Sequence, residues 1–174
     1  MAYGILDRHP NLRVMLAHAF FLSNNPNEMI RVFEKYPNVT IDLDPGGEMF
    51  DGFRERYDDW YKIFRDYSDR IFYATDATIS GGIEYVSSLA QKVYRFLKTD
   101  DVFEVPRNHT AHGIKLEQDY LNNILYNNSK RNMGEKPKKI NRSALKKYIN
   151  TYLPLMPASK NKEMMGEYYR RCLL

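Results

Sequence analysis

"RIFYATDAT", residues 70–78, is the stretch on which the fold turns. Ile71, Phe72 and Tyr73 favour a strand, Ala74 and Thr75 are small, and the run ends in Asp76. A carboxylate at a strand end can serve as a cap, accepting hydrogen bonds from the following turn. It can also serve as a metal ligand or catalytic acid at the C-terminal edge of a parallel sheet, where α/β active sites form.

Two similar runs lie upstream, "RVMLAH" at 13–18 and "VTIDLD" at 39–44. The first and third are nearly continuous apolar runs, the pattern of strands covered on both faces. Helical sequence follows each. "NPNEMIRVFEKY" opens with Asn25 as a cap and Pro26 at the first helical position. Residues 48–67 place Phe53, Tyr57, Trp60, Tyr61 and Phe64 three or four apart, predicting one helix with one buried face, and residues 82–98 repeat the pattern. Alternating strands and helices predict an α/β fold with parallel strands and right-handed crossovers. All three strands then end in a polar or titratable residue on one edge of the sheet: His18, Asp44 and Asp76.

Beyond residue 99 the strand signal fades. Residues 99–116 read as an irregular connection, 117–134 as a helix ending at Gly134, 141–153 as a helix capped by Asn141, and the last stretch as a further helix. The charge divides at the same place. Residues 1–127 carry 14 Lys/Arg against 19 Asp/Glu, whereas 128–174 carry 12 against 3. The overall net charge of +4 is therefore a property of the tail. One cysteine, Cys172, excludes an internal disulfide and fits a reducing, cytoplasmic setting. No apolar run approaches the roughly 18 residues that span a bilayer, so no membrane partner is expected.

His18 could act as a ligand or as a general acid/base near neutral pH. "AFFLSNNP" after it reads as a pocket-lining loop, which nominates Phe20 for substrate contact, beside Asp44 and Thr75 at the other strand ends. Asp42, two residues before Asp44, faces the same way on a strand and suits a structural hydrogen bond. His109 and His112, in "HTAH", could bind a metal if helical, but their surroundings read as loop. The basic stretch 130–147 has few aromatics for base stacking, so nucleic acid is not the expected partner.

Four segments in order resemble the amidohydrolase-related proteins, the branch that includes the metal-dependent decarboxylases. "HPNLRVMLAHAFFLS" is similar to their "fP-dlk-i-l-aH-gg" segment. "EKYPNVTIDLD" is similar to the next strand, "SDRIFYATDAT" to the final "dRilfGSDyP" strand, and "LNNILYNNSKRNMG" to the helix that follows it. The resemblance covers roughly residues 5–140. It implies a TIM-type (β/α)8 barrel of which these are the last three strands, with Asp76 as metal ligand and base and His18 as acid/base, electrophile or second ligand. It implies a divalent ion, expected to be zinc, and hydrolysis of a small polar substrate in preference to decarboxylation. The family's first-strand His-x-His pair has no counterpart, and Ala19-Phe20 stands where the family has Gly-Gly. A barrel of this kind needs about 250 residues. The expectation is thus the C-terminal portion of such an enzyme: residues 1–134 as partial barrel, 135–174 as a basic helical extension, and a ligand set completed by a missing N-terminal half or a second copy. The alternative from another class is a non-catalytic α/β interaction module whose basic tail binds an acidic partner or nucleic acid.

Overall fold

A computed structural model describes residues 2–136 and 139–172, which divide into two compact units, 1–133 and 134–174. In the first unit a short helix α1 (Ala2–Arg8) precedes β1 (Val14–Leu16), α2 (Pro26–Lys35) and β2 (Val39–Asp42). Then come α3 (Gly47–Glu55), α4 (Tyr57–Asp66), β3 (Ile71–Phe72) and α5 (Gly82–Lys98). The fold is α/β. The three strands are parallel and lie in sequential order β1-β2-β3, with Val14 beside Val39 and Ile41 beside Ile71. Right-handed crossovers in an unreversed order place the connecting helices on one face of the sheet, and α2 packs against α4.

That face carries Val39, Ile41 and Ile71, all buried. Ile41 and Ile71 share a core with an aromatic cluster in which Phe53 meets Trp60, Phe64 and Phe96 at ring-centroid distances of 4.7, 5.8 and 5.4 Å, whereas Val39 packs with Leu6, Val32 and Tyr36. The other face is mixed. Met15, Thr40, Asp42 and Phe72 share it by register, and Met15 is 43% exposed. The expectation of strands covered on both faces therefore fails for β1, an edge strand whose outer side pairs with no described strand.

Polar side chains hold the layers together. The Asn25 side chain accepts from the Glu28 amide at 3.3 Å and caps α2 as its sequence predicted. Arg70, just ahead of β3, donates to the carbonyls of Phe33 at 2.7 Å, Tyr36 at 2.6 Å and Val39 at 2.8 Å. One guanidinium thus satisfies the open end of α2 and the start of β2, which a lysine could not match. Trp60 Nε1 donates to the Ser23 carbonyl at 2.7 Å, fixing the loop after β1. Gly52 admits the same loop: a Cβ there would lie 2.6 Å from Asn24 Oδ1.

Three expectations about elements are corrected. The single helix over 48–67 is two, α3 and α4, broken at Arg56 (φ −118°, ψ 41°), with the apolar stripe continuing across the break. The irregular connection at 99–116 contains an antiparallel hairpin, β4 (Val102–Val105) and β5 (His109–His112), with Phe103, Val105 and Ala111 buried. "HTAH" is strand β5, so His109 and His112 point to opposite faces and do not form a helical metal pair.

The helix expected at 117–134 is α6 (Gln118–Asn122) and α7 (Asn128–Met133) joined through a π turn at 123–127. It closes the outer edge of β3. Tyr73 N donates to the Ile124 carbonyl at 3.1 Å. The fully buried Asn128 amide donates to the Ile71 carbonyl at 2.6 Å and the Ser68 carbonyl at 2.8 Å. The Ile71 carbonyl and Tyr73 N are the backbone groups that a further strand beside β3 would need, and Ser68 lies in the turn before it.

In the second unit α8 (Arg142–Tyr152) starts at Asn141, whose side chain accepts from the Ala144 amide at 3.0 Å, and α9 (Lys160–Cys172) follows. Among the described residues no helix is long and apolar enough to cross a membrane.

Asn128→Ala leaves two buried carbonyls without donors. It is expected to cost about 2–4 kcal/mol, read from urea unfolding. A loss under about 1 kcal/mol would show that the 124–128 segment does not seal the sheet edge.

Candidate metal centre

β2 ends in Asp42, and Asp44 follows two residues later; both reach sideways at the C-terminal edge of the sheet. Asp42 Oδ1 accepts from the backbone amide of His18, just after β1, at 2.8 Å. Asp44 Oδ1 accepts from the backbone amide of Asp76, beyond β3, at 2.8 Å. The Asp44 carbonyl accepts from Nδ1 of His18 at 2.7 Å. A carbonyl oxygen can only accept, so Nδ1 carries the hydrogen in the neutral ring and Nε2 presents a lone pair. This is the arrangement that orients a metal-ligating histidine through its second nitrogen.

One ligand atom each from His18, Asp44 and Asp76 lies within 4.8 Å of the other two. His18 and Asp44 are half-buried and Asp76 is exposed. The donor set of one imidazole and two carboxylates fits a divalent ion such as zinc, and three protein ligands leave positions open, as catalytic sites do. Asp42 has a different task. Burial pushes its carboxyl up, the His18 amide pulls it back, and the nearby Asp44 carboxylate adds to the rise.

The backbone is unusual at the same three places. His18, Asp44 and Asp76 all have positive φ, at 55°, 25° and 48°. The strain at the first extends through Ala19, Phe20 and Phe21, at 43°, 53° and 55°. A left-handed residue with a Cβ costs roughly 1–2 kcal/mol, and glycine would relieve it at 19 and 20. Such outliers gather at functional sites, where the surrounding structure holds them.

The cluster opens on a cavity of about 280 Å³. Asp44, Thr75, Asp76 and His18 line it, and Glu48, Tyr85, Lys92 and Arg107 complete the polar wall. Phe20, nominated for substrate contact, is not in that wall. The left-handed turn swings it back against Tyr3, ring centroids 5.9 Å apart. Phe21 instead stacks on the His18 imidazole at 5.1 Å. Lys92 was legible in hindsight, since it shares a helical face with Tyr85 and Leu89. Arg107 was not, because it belongs to the hairpin that the sequence concealed.

Neither histidine of β5 reaches the cluster. His112 stacks on Tyr57 at 4.5 Å. His109 Nδ1 lies 2.5 Å from Asp51 Oδ2, and the Thr110 amide donates to Asp51 Oδ1 at 3.3 Å, so Asp51 fastens the hairpin to α3. The His109 hydrogen bond holds the Asp51 carboxyl below its usual range, helped by the Thr110 amide and by the charges of His109 and Arg54.

That depression has a consequence for stability. A lowered carboxylate stabilises the fold above its unfolded value of 3.8, and the contribution is lost as pH falls through the lower folded value. Asp51→Asn is therefore expected to be less stable than the wild type near neutral pH, with the gap closing in acid. A gap in thermal midpoint that stays constant down to about pH 3 would contradict this.

No family model matches the sequence, no curated protein matches it, and no solved structure matches it, so the resemblance to the amidohydrolase-related proteins rests on the four quoted segments alone.

Proposed function

We propose that residues 1–133 carry the metal-binding end of an amidohydrolase-like hydrolase acting on a small polar substrate. The observation that supports this most is the convergence of His18, Asp44 and Asp76 at the C-terminal ends of three parallel strands. In this reading the sheet is the last three strands of a TIM-type (β/α)8 barrel. The unreversed strand order and the single helix-covered face agree with barrel winding. The outer edge of β1 is where further strands would add, from an N-terminal half on another chain or from a second copy. Closing a full ring would also require the 124–128 segment to leave the edge of β3.

His18 Nε2, Asp44 and Asp76 would hold the ion. A divalent ion held there would supply Lewis acidity, lowering the pKa of coordinated water towards neutrality. Asp76, the more exposed of the two carboxylates, would take the proton of the attacking water. Asp44 is committed through Oδ1 to the Asp76 amide, which fixes the separation of the two carboxylates. Asp42 holds the His18 backbone and makes no contact with the substrate space. The reading places the protein in the cytoplasm, where a lone cysteine stays reduced.

Zinc titration of the purified 174-residue chain tests this. One weak site is expected, because three ligands without the His-x-His pair make an incomplete shell. Asp76→Asn and His18→Ala should each weaken it at least about tenfold, while His112→Ala leaves it unchanged. Zinc binding that ignores the first two substitutions, or none at millimolar zinc, would overturn the reading.

A further inference from the structure

The cavity wall contains two cations that the hydrolytic chemistry does not use. Lys92 projects from α5 and Arg107 from the apex of the β4–β5 hairpin, and both line the cavity that holds His18, Asp44 and Asp76. Neither has an ion-pair partner among the described residues. The contrast with their neighbours is sharp: Arg54, Arg56, Arg65, Arg95 and Lys115 all pair with aspartates at 2.5–3.4 Å.

The hairpin that carries Arg107 is built to hold a position. Arg107 and its neighbour Asn108 both have positive φ, at 65° and 62°. For arginine this is a costly conformation that only surrounding contacts maintain. Those contacts are present. Gly47, at the start of α3, has no side chain, and a Cβ there would collide with the Pro106 carbonyl and lie 2.6 Å from the His109 ring. Asp51 ties the other side of the apex through His109 and Thr110. The backbone on either side of Arg107 is thus fastened to α3, whose preceding loop begins at Asp44.

We propose that Lys92 and Arg107 form an oxyanion-recognition element, and that the substrate carries a carboxylate or phosphate group beside the bond that is hydrolysed. The inference rests on the metal-dependent reading of the same cavity. Asp44, Asp76 and Glu48 would repel an anionic substrate, and two unpaired cations in the same wall offset that repulsion. The planar guanidinium matches a carboxylate or phosphate through two parallel hydrogen bonds, and the ammonium adds a point charge. Leu89 and Val93, on the helix of Lys92, give the rest of the substrate an apolar wall.

The test is calorimetric titration of inorganic phosphate and, separately, of malonate into the full chain, with and without zinc. The wild type is expected to bind at least one of them, and the stronger of the two names the oxyanion. Lys92→Gln and Arg107→Gln should each weaken that binding about tenfold or more while leaving zinc affinity unchanged. Arg107→Lys, which keeps the charge and loses the fork, should fall between. Equal anion binding in all variants overturns the proposal, as does no anion binding by the zinc-loaded protein, and both leave the metal site standing. Anion binding that depends on Lys92 and Arg107 in a chain that binds no zinc upholds the oxyanion element and removes the metal-dependent reading instead. Both residues lie on the cavity wall and outside the core, and circular dichroism melts matching the wild type confirm that each variant is folded.

Discussion

The top of the sheet depends on two carboxylates at the end of the middle strand, Asp42 on it and Asp44 just beyond it. β2 is the middle strand, and Asp42 at its end and Asp44 just beyond it turn towards opposite neighbours, one taking the amide of His18 and the other the amide of Asp76. These are side-chain to backbone bonds, made where the regular ladder has ended. They carry the register of the sheet past its last strand pairs and set the spacing of the three groups that converge there. The carbonyl of Asp44 then fixes the imidazole of His18. Two residues at and just past the end of β2 thus position the donors that arrive from the ends of β1 and β3.

The cost of this arrangement is visible in the backbone. Each of the three converging residues adopts positive φ, and the turn after β1 continues in that region for three more residues. Left-handed turns of this kind are unfavourable for residues with a Cβ, so the burial beneath them must hold the chain in place. Ala19 is fully buried, and the loop that follows is tied down by Trp60 through the Ser23 carbonyl. The hairpin repeats the same design on the other side of the cavity, with Arg107 in a left-handed conformation and Asp51 and Gly47 beneath it.

Much of the architecture could be read from residue pattern. The alternation of apolar runs with helical stripes predicts the parallel βα order, and Asn25 and Asn141 mark helix starts through a local hydrogen bond that needs no tertiary context. The same pattern brought His18, Asp44 and Asp76 to one edge, although the strands are shorter than expected and end at Leu16, Asp42 and Phe72, leaving the three residues in the turns beyond. The features that stayed hidden depend on long-range contact. Pro106 and Asn108 look like loop punctuation, and only pairing between Val105 and His109 makes a hairpin of their flanks. The break at Arg56 leaves the helical stripe intact and so leaves no mark in the periodicity. The exchange of Phe20 for Phe21 beside His18 is set by positive φ at non-glycine residues, which composition does not announce. The sealing of β3 by Asn128 and Ile124 joins residues more than fifty positions apart.

The most direct measurement is anomalous diffraction from crystals of the full chain grown with zinc. The account predicts a peak bound by His18 Nε2, Asp44 and Asp76 at about 2.0–2.2 Å from the ligand atoms, with Nδ1 of His18 still on the Asp44 carbonyl. Zinc held at His109 or His112 instead, or an empty density between the three strand ends at saturating zinc, would contradict it and leave Asp76 as a strand-end cap.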